Sequence, residues 1–144
     1  MKNLHASTVF VVDDDCFTCS LFQKHLENLG FENVRPFHSG VECLDNLHLN
    51  PALVLLDHDM AQITGFEVLK KIKRYDPNTA VIMVSGQEDM ATALDALKYG
   101  AFDYIIKGNG EVQRIEESLH RLERLHEVIA RRPRSLLSKL LPNS

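Results

Sequence analysis

Little in this chain would staple it, anchor it or coat it with positive charge. Three cysteines, Cys16, Cys19 and Cys43, are an odd number and make a poor disulfide framework. No apolar run of about 18 residues occurs, and no basic n-region with an apolar h-region opens the sequence. Neither a membrane span nor a signal peptide is indicated, and a cytoplasmic location is expected. Basic residues are outnumbered: 16 Lys and Arg against 20 Asp and Glu give a formal charge of −4, which argues against a strongly basic nucleic-acid surface. No direct nucleic-acid binding is expected. No internal repeat appears, and 144 residues amount to one ordinary domain, large enough to bury a core.

What the chain does have is short, unbroken aliphatic runs that end in polar residues. Leu53, Val54, Leu55 and Leu56 read as a strand covered on both faces, since a strand with one wet face would alternate, and the run stops at Asp57-His58-Asp59. Thr8–Val12 is similar and stops at Asp13, Asp14 and Asp15. Ala80–Val84 ends at Ser85-Gly86, and Phe102–Ile106 leads to Lys107-Gly108. Asn33–Phe37 completes a set of five; Pro36 inside it points to the edge of a sheet, where a missing N–H does no harm.

Helical patterns fill the intervals. Residues 16–29 carry Leu21, Phe22, Leu26 and Leu29, with Gly30 at the C′ position. Ser39 can cap a helix carrying Val41, Leu44 and Leu47 that stops before Pro51. Gly65–Tyr75 places Phe66, Leu69 and Ile72 opposite Lys70, Lys71, Lys73 and Arg74. Another helix is expected over roughly 88–98, and a long one from Glu111, with Val112, Ile115, Leu119, Leu122 and Ile129 on one stripe, ending before Pro133.

Five strands alternating with five helices predict a doubly wound parallel sheet with helices on both faces. With the second strand at an edge, the flavodoxin-like order 2-1-3-4-5 is favoured. Strands one and three are then neighbours at the switch point, bringing Asp13, Asp14 and Asp57 together, with Ser85 and Lys107 on the same rim. Two unit charges about 4 Å apart repel by roughly 4 kcal/mol at an effective dielectric near 20, so three carboxylates call for a counter-ion. An all-oxygen set with room for water suits Mg2+ better than calcium or zinc.

These pieces, in this order, resemble the receiver domains of two-component response regulators. The resemblance rests on Val11-Val12-Asp13-Asp14, on Leu53–Asp57 with Met60 and Gly65 downstream, on Ser85-Gly86 and on Tyr104-Ile105-Ile106-Lys107, and it spans about residues 7–127. It implies that Asp57 is the phosphoacceptor, that Asp14 and Asp57 bind magnesium directly, Asp13 through water and Asp59 through its main-chain carbonyl, and that Lys107 contacts a phosphoryl oxygen. It further implies Ser85 and Tyr104 as the switch pair, and Asp59 and Gln87 as residues that tune phosphoryl lifetime. The expected function is a signalling switch in a phosphorelay, in which a sensor histidine kinase or phosphotransfer protein donates the phosphoryl group. The surface of the fourth helix, fifth strand and fifth helix would then change to control a downstream protein. Such a protein is a stoichiometric phosphoacceptor with self-dephosphorylation, not an enzyme.

Two positions depart from the family pattern, which usually has proline after the methionine and after the lysine. Here they are Ala61 and Gly108. A cis bond before glycine costs about 2.5–4 kcal/mol, so the loop after the fifth strand is expected to differ from the family.

Other features fit less directly. Cys16 and Cys19 form a C-x-x-C spacing after a strand, readable as a redox motif or simply as two small side chains on the first helix. The receiver is expected over 1–127, with 128–144 an extension of the last helix and a short basic, amphipathic tail and no output domain. The tail comprises Arg131-Arg132-Pro133-Arg134 and then Leu136, Leu137, Leu140 and Leu141. Self-association through the last helix is plausible. Rival readings are a haloacid-dehalogenase-like phosphatase, from the D-x-D of Asp57-His58-Asp59, and a phosphorylation-independent docking module of the same fold.

Overall fold

The structure is a computed structural model, and it describes residues 3–86, 89–108 and 110–130. Five strands, β1 (Thr8–Val12), β2 (Asn33–Phe37), β3 (Leu53–Asp57), β4 (Ala80–Ser85) and β5 (Asp103–Ile106), form one parallel sheet in the order β2-β1-β3-β4-β5. Between and after them run α1 (Cys16–Asn28), α2 (Gly40–Leu44), α3 (Gly65–Tyr75), α4 (Met90–Lys98) and α5 (Glu111–Ala130). The flavodoxin-like order expected from the sequence is the one observed.

Alternation of side chains along each strand divides the interior into two cores. On one face Val9, Val11, Leu53, Leu55, Ile82, Val84 and Ile105 pack with Cys19, Phe22 and Leu26 of α1 and with Ile115, Leu119 and Leu122 of α5. On the other, Phe10, Val12, Val54, Leu56, Val81 and Met83 pack with Cys43 of α2, with Val68, Leu69 and Ile72 of α3 and with Ala96 of α4. Every residue of β3 and β4 is buried, which is why these runs are unbroken in the sequence. Pro36 lies on edge strand β2, opposite Val11.

Three apolar residues read as core face outward: Leu21, Val41 and Val112 are 48%, 47% and 37% exposed. The inward stripe of α1 is Cys19, Phe22 and Leu26, and Leu21, one residue before Phe22, is rotated about 100° from it. The second helix is also shorter than its apolar spacing suggests. It ends at Leu44, and Leu47–Leu49 form a separate 3-10 turn closed by Asn50, whose φ of 56° turns the chain toward Pro51. A further 3-10 turn, Leu4–Ala6, precedes β1. No helix among the described residues is long and apolar enough to cross a membrane. The tail 131–144 lies outside the described residues.

Candidate functional site: an acidic pocket at the strand ends

Parallel strands point their carboxyl ends the same way, so the polar residues that stop β1, β3, β4 and β5 meet on one rim. Asp13 and Asp57 are almost wholly buried there, while Asp14 is exposed. Carboxylate oxygens of all three lie within 4.8 Å of one another. Lys107, which follows β5, bridges the two buried acids: its Nζ donates to Asp13 Oδ2 at 2.9 Å and to Asp57 Oδ1 at 3.2 Å. Burial, followed by the neighbouring Asp13 charge, raises the Asp57 pKa above the ordinary carboxylate value, and Lys107 only partly opposes them. Burial alone would lower the Lys107 pKa, but the hydrogen bond to Asp13 and the charges of Asp57 and Asp13 hold it above the usual lysine value.

Asp15, the third acid after β1, has a separate task. It stands at the N-cap of α1 and accepts a 2.5 Å hydrogen bond from the Thr18 hydroxyl, which lowers its pKa. Asp13 in turn accepts from the Asp15 N–H at 2.9 Å, which fixes its carboxylate at the start of the turn.

The wall of the pocket beyond β3 is set by a close approach. A Cβ on Gly65 would stand 2.5 Å from the Asp57 carbonyl oxygen and 2.6 Å from the His58 Cα, so only glycine lets α3 begin this near the strand end. The Gly65 N–H donates to the His58 carbonyl at 3.0 Å, and Thr64 caps α3 by accepting from the Glu67 N–H. His58 packs edge-on against Phe66 of α3.

Ser85 is fully buried at the end of β4, and its hydroxyl donates to Asp59 Oδ2 at 3.4 Å. Asp59 is exposed, with its carboxylate directed to Ser85 while its N–H donates to Asp57 Oδ1 at 3.4 Å. Tyr104, half-buried, packs against the core on the α2, α3 and α4 side. Burial raises its pKa, and a side-chain hydrogen bond with Ser85 pulls the other way. Asp57, Asp59, Ser85 and Tyr104 are therefore linked through neighbouring contacts. Gln87 lies outside the described residues.

After Lys107 the chain follows its own course. No cis peptide bond occurs among the described residues, and Gly108 adopts φ 85°. Its N–H donates to Glu111 Oε2 at 2.9 Å. In the sequence Glu111 marks only the start of a helix; the signal for its further role is a glutamate three residues after a backbone N–H, the spacing at which a capping-box acid reaches back. The C-x-x-C pair is divided by burial: Cys16 is exposed, Cys19 is buried, and neither forms a disulfide. Burial, then the Asp13 charge, pushes the Cys19 thiol up to about 11, the opposite of an activated redox thiol.

Fold and pocket together define a doubly wound α/β domain with an acidic pocket at its switch point. Three carboxylates against one ammonium, with oxygen donors only and Asp14 open to solvent, fit a divalent ion such as magnesium.

A family model for the response regulator receiver domain matches residues 9–120. The chain belongs to that family. It is 38% identical over 100 residues to the transcriptional regulatory protein ZraR of Escherichia coli K12, covering 69% of this chain and 22% of the relative. The chain thus spans roughly a quarter or less of the first curated relatives it matches, at 22–25% of their length. Among solved structures, a response regulator receiver domain from Clostridium thermocellum superposes with a TM-score of 0.77 at 26% identity, covering 85% of this chain and 98% of that one. The complex of CheX, CheY, BeF3 and Mg2+ from Borrelia burgdorferi gives 0.74 at 26% identity, covering 81% and 88%. Receiver domains are signalling domains that typically bind magnesium at an acidic cluster, here the position of Asp13, Asp14 and Asp57.

Proposed function

We propose that this chain is a phosphorylation-dependent switch whose phosphoacceptor is Asp57. The observation that carries this reading is the Lys107 bridge, which presents one ammonium group to a buried acceptor carboxylate beside two further acids. Phosphoryl transfer proceeds mainly by positioning and charge neutralisation, so a carboxylate serves as nucleophile when cationic groups hold the incoming oxygens. An Asp57 oxygen attacks phosphorus, the bond from phosphorus to the donor's histidine nitrogen breaks, and an acyl phosphate remains on Asp57. Lys107 then gives up part of its contact with the carboxylates to hold a phosphoryl oxygen.

Asp14 and Asp57 would hold magnesium directly, Asp13 through water and Asp59 through its carbonyl. Bound there, the ion would supply positive charge against the phosphoryl oxygens. Ser85 then exchanges its Asp59 acceptor for a phosphoryl oxygen. Since Tyr104 is coupled to Ser85, this shifts the population of Tyr104 conformers. Asp59 and Gln87 flank the acceptor and would set how long the acyl phosphate lasts before water removes it.

The readout face would be α4, β5 and α5. Met90, Leu94 and Leu97 form an exposed apolar stripe on α4, suited to a protein partner. The phosphodonor would be a sensor histidine kinase or phosphotransfer protein. Leu125 and Val128, exposed on the outer part of α5, support self-association through that helix.

The test is incubation with Mg2+ and acetyl phosphate, followed by intact-mass measurement. One phosphoryl group per chain, absent from Asp57→Asn, is the expected result. Continuous hydrolysis of a generic phosphate ester that depends on Asp59 would mean a phosphatase. No adduct with any phosphodonor would mean a docking module.

A further inference from the structure

We propose that Glu111 is a positioning residue for Lys107, holding the backbone beyond it by accepting the Gly108 N–H. The inference rests on the phosphoacceptor reading above and extends it to a residue outside the pocket.

Lys107 must place its ammonium between two carboxylates from different strands, so its main chain has to be fixed on both sides. On the near side its own N–H donates to the Ser85 carbonyl at 2.8 Å, which ties it to the end of β4. On the far side the next peptide N–H, that of Gly108, is held by Glu111 Oε2 at 2.9 Å. Glu111 opens α5, and α5 is anchored to the sheet through Ile115, Leu119 and Leu122. The lysine is therefore clamped between a buried strand and a docked helix, and among the described residues the helix side of the clamp is the side-chain bond from Glu111 to the Gly108 N–H.

Gly108 makes that bond available. At φ 85° it occupies the left-handed region, and a Cβ there would meet nothing within 4 Å, so the requirement is conformational, not steric. Proline at this position would have no N–H to give. Glu111 offers a carboxylate oxygen, and charge-assisted hydrogen bonds are about twice as strong as neutral ones. Its place in the first turn of α5 also suits the helix dipole, an effect that the test must separate from the hydrogen bond.

The probes are beryllofluoride with Mg2+, as a stand-in for the phosphoryl group, and Mg2+ alone, each titrated calorimetrically into the full chain. Lys107 touches Asp13 and Asp57, which also belong to the acidic cluster that would hold the metal, so its ammonium competes with Mg2+ alone but assists the phosphoryl mimic. Glu111→Ala should weaken beryllofluoride binding roughly five- to tenfold, the scale of losing one capping interaction, and should not weaken Mg2+ binding, since a less fixed ammonium competes less for Asp13 and Asp57. Glu111→Gln keeps an acceptor oxygen without the charge and should recover about half of the loss on a logarithmic scale. Unchanged beryllofluoride affinity in Glu111→Ala would overturn the proposal. So would a Gln variant as weak as the Ala variant, which would assign the effect to charge at the helix start, or a parallel fall in Mg2+ affinity, which would indicate general loosening. Failure of the wild-type chain to bind beryllofluoride with Mg2+ would remove the phosphoacceptor reading itself, and this inference with it.

Discussion

Lys107 holds its ammonium nearer to Asp13, at 2.9 Å, than to Asp57, at 3.2 Å, although Asp57 is the proposed acceptor. The ammonium offsets only part of the pocket's negative charge and leaves one oxygen of the acceptor carboxylate uncontacted by it. Both acids are at most 4% exposed, so removing the lysine leaves two buried negative charges facing each other. Breaking a buried pair by deleting one partner costs about 3–5 kcal/mol, and Lys107, being 28% exposed, should fall at or below the low end. Lys107→Ala is expected to lower unfolding stability by about 2 kcal/mol in chelator, with part of the loss recovered on adding Mg2+. Urea melts with and without the ion check both halves.

Asp57→Asn should do the opposite. Burial and the Asp13 charge both disfavour ionised Asp57, so the carboxylate is held at a cost that a neutral isostere avoids. In chelator the Asn variant should be more stable than wild type by on the order of 1 kcal/mol. Saturating Mg2+ should narrow or reverse the gap, because only the wild type presents all three carboxylate charges to the ion. A wild type more stable than Asp57→Asn in chelator would contradict this charge balance.

Gly65→Ala tests the close approach of α3 to β3. The new Cβ would lie 2.5–2.6 Å from backbone atoms of Asp57 and His58, neither of which belongs to a side chain that can swing away. Overpacking of this kind costs about 1–3 kcal/mol and displaces the strand end that carries the acceptor. Denaturation should register the loss, and phosphoryl uptake from acetyl phosphate should slow even at temperatures where the variant is fully folded.

The strands and their order were legible because β3 and β4 are buried on both faces and so form unbroken aliphatic runs, and because Pro36 marks an edge. Once the order was known, topology alone brought Asp13, Asp14, Asp57, Ser85 and Lys107 to one rim. Helix faces were less legible. Leu21, Val41 and Val112 fit helical spacing, yet the sheet covers only part of each helix and leaves them at its margin. The second helix stops at Leu44 with Asp45 as its C-cap, and Asn50 turns left-handed only to close the later 3-10 turn, neither of which apolar spacing reports. The bond from Gly108 to Glu111 is hidden for another reason: set against the family pattern the glycine shows as the loss of a proline, not as the gain of an N–H.

The three cysteines should separate cleanly by reactivity. Cys16 is exposed, whereas burial pushes the Cys19 thiol to about 11 and the Cys43 thiol to about 12, with the charge of Glu42 adding to the latter. Since the thiolate is the reactive form, iodoacetamide at about pH 8 should alkylate one residue quickly in the native chain and all three in denaturant, as peptide mass mapping would show. The same shifts fix a stability trend. An unfolded thiol ionises near 9.0, so below that pH both states keep their protons and stability is unaffected. Between about 9 and 11 to 12 the unfolded chain releases protons that the native chain retains, so stability falls as pH rises. Cys19→Ala with Cys43→Ala should flatten that alkaline decline while lowering stability at neutral pH through lost packing. A decline of unchanged slope in the double variant would place its origin in other groups.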